Sequence, residues 1–302
     1  MKIAITGSSG LIGHALTASL TADGYEVVRL VRRPPRGPGE ARWDPRAADA
    51  GDPALGGTDA VVHLAGAGVG SHRWTAGYKA EMRASRILAT RSLTNALARC
   101  APAPRAFIVA SAIGWYGGTG GREVTEDSPA GNGFLARLAS DWEASAAPAR
   151  DAGIRVAHLR SGLVLSPRGG ALARLALPAR FGLLPRFGDG TQVMSWISLT
   201  DEVRAIRFLI DGPGSAELSG PFNLTAPAPV TNAELTAALH RAMRRPDFDW
   251  LRVPAPLLRL ALGEMSAELL TSARVTPKRL LDAGFEFRHP AIGEALRAEL
   301  RS

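Results

Sequence analysis

The residues best suited to chemistry lie at the very start of the chain. A short apolar strand, Lys2-Ile3-Ala4-Ile5, runs into Thr6-Gly7-Ser8-Ser9-Gly10-Leu11-Ile12-Gly13. A strand that turns through glycines into a helix leaves backbone N–H groups aimed outward at a positive helix end, which suits a pyrophosphate. Gly7 would make the tight turn, Gly10 would let a phosphate approach the backbone, and Gly13 would let helix and strand pack closely. The spacing is GxxGxxG rather than GxGxxG, and the bland alternative is a glycine-rich turn in some other α/β protein. A second candidate stands nineteen residues beyond Gly13, where Arg32-Arg33 follows the next strand. A carboxylate about 20 residues after the last glycine would bind an adenosine 2′-hydroxyl, whereas arginine accommodates a 2′-phosphate. A guanidinium can grip a phosphate bidentately and stack on adenine, so the pair points to NADP(H). The alternative is two solvated loop arginines in an arginine-rich chain. His14, His63, His72, His158, His240 and His289 are dispersed without ligand spacing, so no metal site is expected.

The elements that must position these residues alternate in type. Tyr25–Val31, Asp59–Gly66, Arg105–Ser111 and Ile154–Arg160 read as strands, separated by helices at Leu11–Leu20, Ala76–Cys100 and Leu135–Ala149. Such alternation implies a parallel sheet with right-handed crossovers, an α/β, Rossmann-like doubly wound fold. Ligands on these sheets sit beyond the carboxyl ends of the strands, so Gly7, Arg32, Ala65 and Ser111 should face one crevice. Residues 1–165 are expected to form the dinucleotide-binding domain, with 199–226 returning to its sheet. Residues 166–302 should supply a loop-rich segment (166–190) over the crevice and a smaller, mainly helical substrate-side unit. His63 reads as a strand-end residue satisfied by backbone, not as a catalyst.

Composition sets outer limits. The chain has 302 residues, 46% of them hydrophobic, enough for a full α/β core and a smaller second unit. One cysteine, Cys100, excludes an internal disulfide framework and fits a reducing compartment. No basic leader with an apolar h-region opens the chain and no apolar run reaches about 18 residues, so a cytoplasmic protein without membrane partners is expected. The formal charge of +8 comes almost wholly from scattered arginines, since only Lys2, Lys79 and Lys278 are lysine. No basic run with interleaved aromatics appears, and a nucleic-acid partner is not expected.

The glycine loop, Val61-Val62-His63-Leu64-Ala65-Gly66 and Ser111-Ala112-Ile113-Gly114-Trp115-Tyr116-Gly117 together resemble the extended short-chain dehydrogenase/reductase superfamily. Arg73-Trp74, Ser85-Arg86, Glu126-Asp127-Ser128-Pro129 and Arg160-Ser161-Gly162-Leu163-Val164-Leu165 resemble its atypical "epimerase family", sugar-nucleotide-epimerase-like branch. Leu262-Gly263-Glu264-Met265 and Leu280-Leu281-Asp282-Ala283-Gly284-Phe285 are similar to that branch's own C-terminal domain. The resemblance runs nearly end to end. It implies that Gly7, Ser8, Gly10, Leu11 and Ile12 touch the pyrophosphate and that Arg32 meets the 2′-phosphate, with Ser9, Gly13 and Arg33 also expected at the cofactor. Leu64 and Ala65 would pass beside adenosine and ribose. Glu81 and Arg86 would lie on the helix that approaches the cofactor, with Arg86 where extended members usually carry asparagine.

Reductases of that superfamily use Tyr-x-x-x-Lys, the lysine lowering the pKa of a phenol that moves a proton as hydride moves. Here the residues four beyond Tyr25, Tyr78 and Tyr116 are Arg29, Met82 and Gly120. Where the pair belongs, Arg137 stands near the lysine position and Gly133 near the tyrosine position. Arginine keeps a charge for a ribose hydroxyl but is no proton relay near neutral pH. The substitutes are Ser111, where the family places a hydroxyl against the reacting oxygen, and Tyr116, either a phenol swinging into the crevice or a packing aromatic beside Trp115. Arg160 could brace the cofactor amide, position an anion, or be a buried structural arginine. Gln192, Trp196 and Arg73-Trp74 could line the substrate pocket under a closing loop, Arg186–Ile197. The expected function is an NADP(H)-dependent oxidoreductase or epimerase with an unconventional proton donor, acting on a small carbonyl or sugar-like substrate, possible as a homodimer. The alternative is a non-catalytic NADP(H)-binding sensor.

Overall fold

A computed structural model describes residues 1–45, 55–248 and 250–301. Seven strands, β1 (Lys2–Thr6), β2 (Glu26–Val31), β3 (Glu40–Arg42), β4 (Ala60–His63), β5 (Ala106–Ala112), β6 (Arg155–Ser161) and β7 (Gly220–Leu224), form one sheet. Every pairing is parallel, in the order β7-β6-β5-β4-β1-β2-β3. The order reverses between β1 and β4, so the crevice lies where Thr6 and His63 end their strands. The central strands β1, β4 and β5 read as largely apolar runs because helices cover both faces of the sheet. Ile3, Ile5, Val62 and Ile108 pack on one side, against α1 (Leu11–Ala22) and α7 (Leu199–Asp211). Ala4, Val61, Phe107 and Val109 pack on the other, against α3 (Ala89–Leu97).

Three elements depart from the expected pattern. The edge strand β3 lies in a stretch to which the sequence assigns no element, since three residues show no periodicity; its pairing with β2 makes it a strand. The long helix is not continuous: α2 (Ala76–Arg83) passes through a π turn, Ala84–Leu88, before α3. The segment 166–190 contains α6 (Gly170–Ala179), hidden from sequence reading by glycines at its start and Pro178 inside it. On the other side, α4 (Phe134–Ala144) is followed by α5 (Ala147–Asp151), whose early Pro148 suits a first helical turn.

Beyond β7 the chain is mainly helical. Leu172 and Ala179 of α6 pack with Leu235 and Leu239 of α8 (Asn232–Ala242) and with Leu296 of the last helix, Ile292–Glu299. Helix α9 (Ala255–Leu262) reaches back to the sheet domain, where Arg73 donates to the Leu260 carbonyl. No helix among the described residues is long and apolar enough to cross a membrane.

Candidate functional site

The glycine loop is built by exclusion. Gly7 has φ +69°, and a Cβ there would lie 2.7 Å from the Leu64 carbonyl carbon and 2.8 Å from the Ala65 nitrogen. The turn after β1 is thus pressed against the backbone leaving β4. A Cβ on Gly13 would lie 2.3 Å from the Gly7 oxygen, so only glycine lets α1 pack on the turn. Gly10 differs, because the Gly7 oxygen at 3.2 Å is the only heavy atom its Cβ would meet within 4 Å. No side chain caps α1 and no acid occupies its first turn, which leaves the helix N–H groups to a ligand. Ser8 is buried and Ser9 exposed, while Leu11 and Ile12 are half-buried against the core.

His63 is fully buried, its Nδ1 2.6 Å from Thr6 Oγ1, and burial pushes it down to about 3. It is neutral at physiological pH and holds the ends of β1 and β4 together through a side chain rather than backbone.

At the end of β2 the two arginines separate. Arg32 is exposed and has no hydrogen bond or ion pair among the described residues. Arg33 is engaged with Glu40 on β3, donating Nη1 to Oε2 and Nη2 to Oε1, both at 2.7 Å. Glu40 also meets Arg29 at 3.1 Å, and these cations hold its carboxyl down to about 2. Of the pair, Arg32 alone is free for a phosphate, and Arg33 is corrected to a structural residue.

The end of the crevice expected to hold the reaction is a closed side-chain network. Ser111 Oγ donates to Glu143 Oε1 at 2.7 Å. Glu143 is gripped by Arg160, Nε to Oε1 at 2.8 Å and Nη2 to Oε2 at 2.9 Å. Arg160 is 2% exposed, lies 3.8 Å over the Trp115 ring and donates Nη1 to the Tyr116 hydroxyl at 2.9 Å. Tyr116, 4% exposed, donates to Asn223 Oδ1 at 2.6 Å. Burial pushes this phenol up, and Arg160 opposes the shift only in part. Two expectations are corrected here. Tyr116 has a cation beside it, yet its hydroxyl is held in the core and cannot swing into the crevice. Arg160 is a structural arginine whose fork is filled by Glu143.

The Arg137 assignment is corrected by helical geometry. Leu135 packs on Gly114 beyond β5, Ala139 is buried and Glu143 meets Ser111, so these three share the face of α4 turned to the sheet. Arg137 stands roughly 200° from Ala139 around the helix and is exposed. Glu81 is likewise exposed on α2 and has no partner among the described residues, whereas Arg86 is buried behind the β4 loop. Sequence reasoning missed Glu143, Asn223 and a second acid, Glu202. Asn223 is a polar residue inside an apolar strand, the one signal that could have found it; Glu143 and Glu202 stand beside other charged residues on amphipathic helices, and nothing local sets them apart. Glu202 accepts from Ser161 at 2.6 Å, its Oε2 has no partner among the described residues, and burial pushes its carboxyl up to about 8.

Of the expected pocket residues, Trp196 and Trp74 are structural, whereas Gln192 lines a cavity beside the turn at Asp189. Trp196 is fully buried and donates to the Ala228 carbonyl. Gln192 is buried, its amide donated to the Phe187 and Leu269 carbonyls. Trp74 is buried against Phe134 and donates to the Val69 carbonyl. A cavity of about 810 Å³ opens between Gly121, the turn at Asp189, Arg252 and Arg259, but no residue of the glycine loop or the Ser111 network lines it. No cluster of potential metal ligands occurs among the described residues.

Residues 3–225 match the NAD dependent epimerase/dehydratase family, and residues 253–299 match a domain of unknown function, DUF1731. The chain is 48% identical to an epimerase family protein of Mycobacterium tuberculosis, over 97% of this chain and 96% of the relative. It is 34% identical to the Bacillus subtilis epimerase family protein YfhF, covering 98% and 97%. The fold superposes with a TM-score of 0.91 on the human epimerase family protein SDR39U1 crystallised with NADPH, at 32% identity and covering 100% and 99% of the two chains. With its parallel sheet, its glycine turn and this end-to-end likeness, the chain belongs to the NAD dependent epimerase/dehydratase family.

Proposed function

We propose that the chain binds NADP(H) and acts as an oxidoreductase or epimerase on a small carbonyl or sugar-like substrate, without a Tyr–Lys pair, in the reducing cytoplasm. One observation carries the cofactor half: a cradle sealed by Gly7 and Gly13, open at Gly10, with the unengaged guanidinium of Arg32 beyond it. NADPH in the human relative supports the same choice. The residues fit a doubly phosphorylated adenine nucleotide: free α1 N–H groups for the pyrophosphate and Arg32 for a 2′-phosphate. When bound, the nicotinamide supplies or accepts the hydride. Ser111, whose one proton goes to Glu143, would accept a hydrogen bond from a substrate hydroxyl, and Glu143, itself clamped by Arg160, would fix its orientation.

A second reading is favoured by Leu135 and Ala139, apolar residues on the helix face turned toward Ser111. They leave that wall without a mobile acid, as in a protein that senses NADP(H) without turning over. Monitoring NADPH oxidation against a panel of carbonyls and nucleotide sugars separates the readings. Turnover lost in Ser111→Ala with NADPH affinity retained supports the enzyme. Tight NADPH binding with no turnover across the panel supports the sensor. No binding of NADPH contradicts both.

A further inference from the structure

Two arginines are buried along the crevice wall, and they differ in one respect. Arg160 has Glu143 as its counterion. Arg86, 8% exposed, donates Nη2 to the Ala67 carbonyl at 2.8 Å and Nη1 to the Met82 carbonyl at 3.3 Å, and lies 5.0 Å over the Trp142 ring. It makes no ion pair among the described residues. Carbonyl dipoles and an indole face orient a guanidinium without cancelling its charge. Burial lowers Arg86 to about 10, so it is still protonated at neutral pH. An uncompensated buried charge costs several kcal/mol, and removing it from water is repaid when an anion arrives.

The backbone around Arg86 is shaped to hold it. The residue lies in the π turn Ala84–Leu88, a distortion that recurs at functional sites. A Cβ on Gly66 would stand 3.4 Å from its Cζ and 3.5 Å from its Cγ, ordinary contact distances that place the side chain along the β4 loop. The Ala67 N–H donates to Ser85 Oγ at 3.1 Å, tying that loop to the π turn. The same loop, three residues earlier, forms the wall against Gly7. On its other side Arg86 stacks on Trp142, whose neighbour Glu143 holds Ser111. The guanidinium therefore packs between the loop that leaves β4 at the crevice and the Trp142 ring.

We infer that Arg86 is the anion-recognition residue of the crevice, so that the substrate carries a carboxylate or a phosphate. This rests on the crevice holding the dinucleotide as proposed above. Calorimetric titration of the NADPH-saturated protein with succinate and with inorganic phosphate tests it, on wild type, Arg86→Gln and Arg86→Lys. Wild type should bind at least one of the two anions, and Arg86→Gln should weaken that binding ~10-fold or more, the scale of a lost charge-assisted pair. Arg86→Lys, which keeps the charge but not the fork, should fall between them and covers the case in which the glutamine variant does not fold. NADPH affinity should change less than ~3-fold in either variant, a small fraction of what a lost charge-assisted contact would remove. No anion binding by wild type, or equal anion binding by all three proteins, overturns the inference. A loss of NADPH affinity as large as the loss of anion affinity also overturns it, since the guanidinium would then serve the cofactor's own phosphates. Failure of wild type to bind NADPH contradicts the cofactor reading itself and is told apart by the first titration.

Discussion

The two ends of the crevice are built from different materials. At the proposed phosphate end the shape is set by backbone: Gly7, Gly10 and Gly13 contribute no side chain, and an added Cβ would meet neighbours at 2.3–3.2 Å. At the proposed reaction end it is set by side chains drawn from four places, Ser111 on β5, Glu143 on α4, Arg160 on β6 and Asn223 on β7, with Tyr116 between. A backbone cradle tolerates almost no substitution. A side-chain network can exchange its members while keeping its charges balanced, so the same fold can keep its nucleotide site and change its acid.

The sharpest way to break this contrast is at the glycines. Gly13→Val forces a side chain into the Gly7 carbonyl and should destabilise the sheet domain by about 3 kcal/mol, read as a lowered denaturation midpoint. Gly10→Val should leave that midpoint nearly unchanged while abolishing dinucleotide binding. Equal stability losses in the two variants would mean that the cradle is scaffold alone. At the reaction end, Glu143→Ala strands Arg160 in the core and should cost about 3–5 kcal/mol in denaturant unfolding. A loss under about 1 kcal/mol, the range of surface pairs, would show that the pair is solvated.

Glu202 sharpens the contrast through pH. Its carboxyl, ordinarily near 4.5, is pushed up to about 8 by burial. Between those values the native protein holds a proton that the unfolded chain has released, so stability falls as pH rises through that window. Glu202→Gln should flatten the decline in melting temperature from pH 5 to 8, and an unchanged slope would place the proton elsewhere. The smallest effect on activity is expected at Tyr116. With its hydroxyl fixed between Asn223 and Arg160, Tyr116→Phe should cost about 1–2 kcal/mol of stability and change any turnover less than threefold. A loss of ~100-fold or more would restore it as the proton donor.

How far each end could be read from sequence follows the same division. The glycine turn and the strands β1, β4, β5 and β6 are local: a strand buried on both faces announces itself as an apolar run, and a turn that tolerates no Cβ announces itself as glycine. Arg32 and Arg33 look alike in sequence, and only Glu40, seven residues beyond Arg33 on a three-residue strand, divides them. Tyr116 and Arg160 were ambiguous for a related reason. Their partners lie 107 residues away at Asn223 and 17 residues away at Glu143, and no local pattern links them. Arg137 was misplaced because a four-residue spacing says nothing about which helix face meets the sheet.

Calorimetric titration of NADPH and NADH into wild type and Arg32→Asp tests the central claim most directly. Wild type should bind NADPH more tightly than NADH, and Arg32→Asp should weaken NADPH by ~100-fold while leaving NADH nearly unaffected, as expected for a lost charge-assisted phosphate contact and an added repulsion. Equal affinities for the two nucleotides in wild type, or equal losses for both in the variant, would contradict the assignment of Arg32 to a 2′-phosphate and with it the NADP(H) reading.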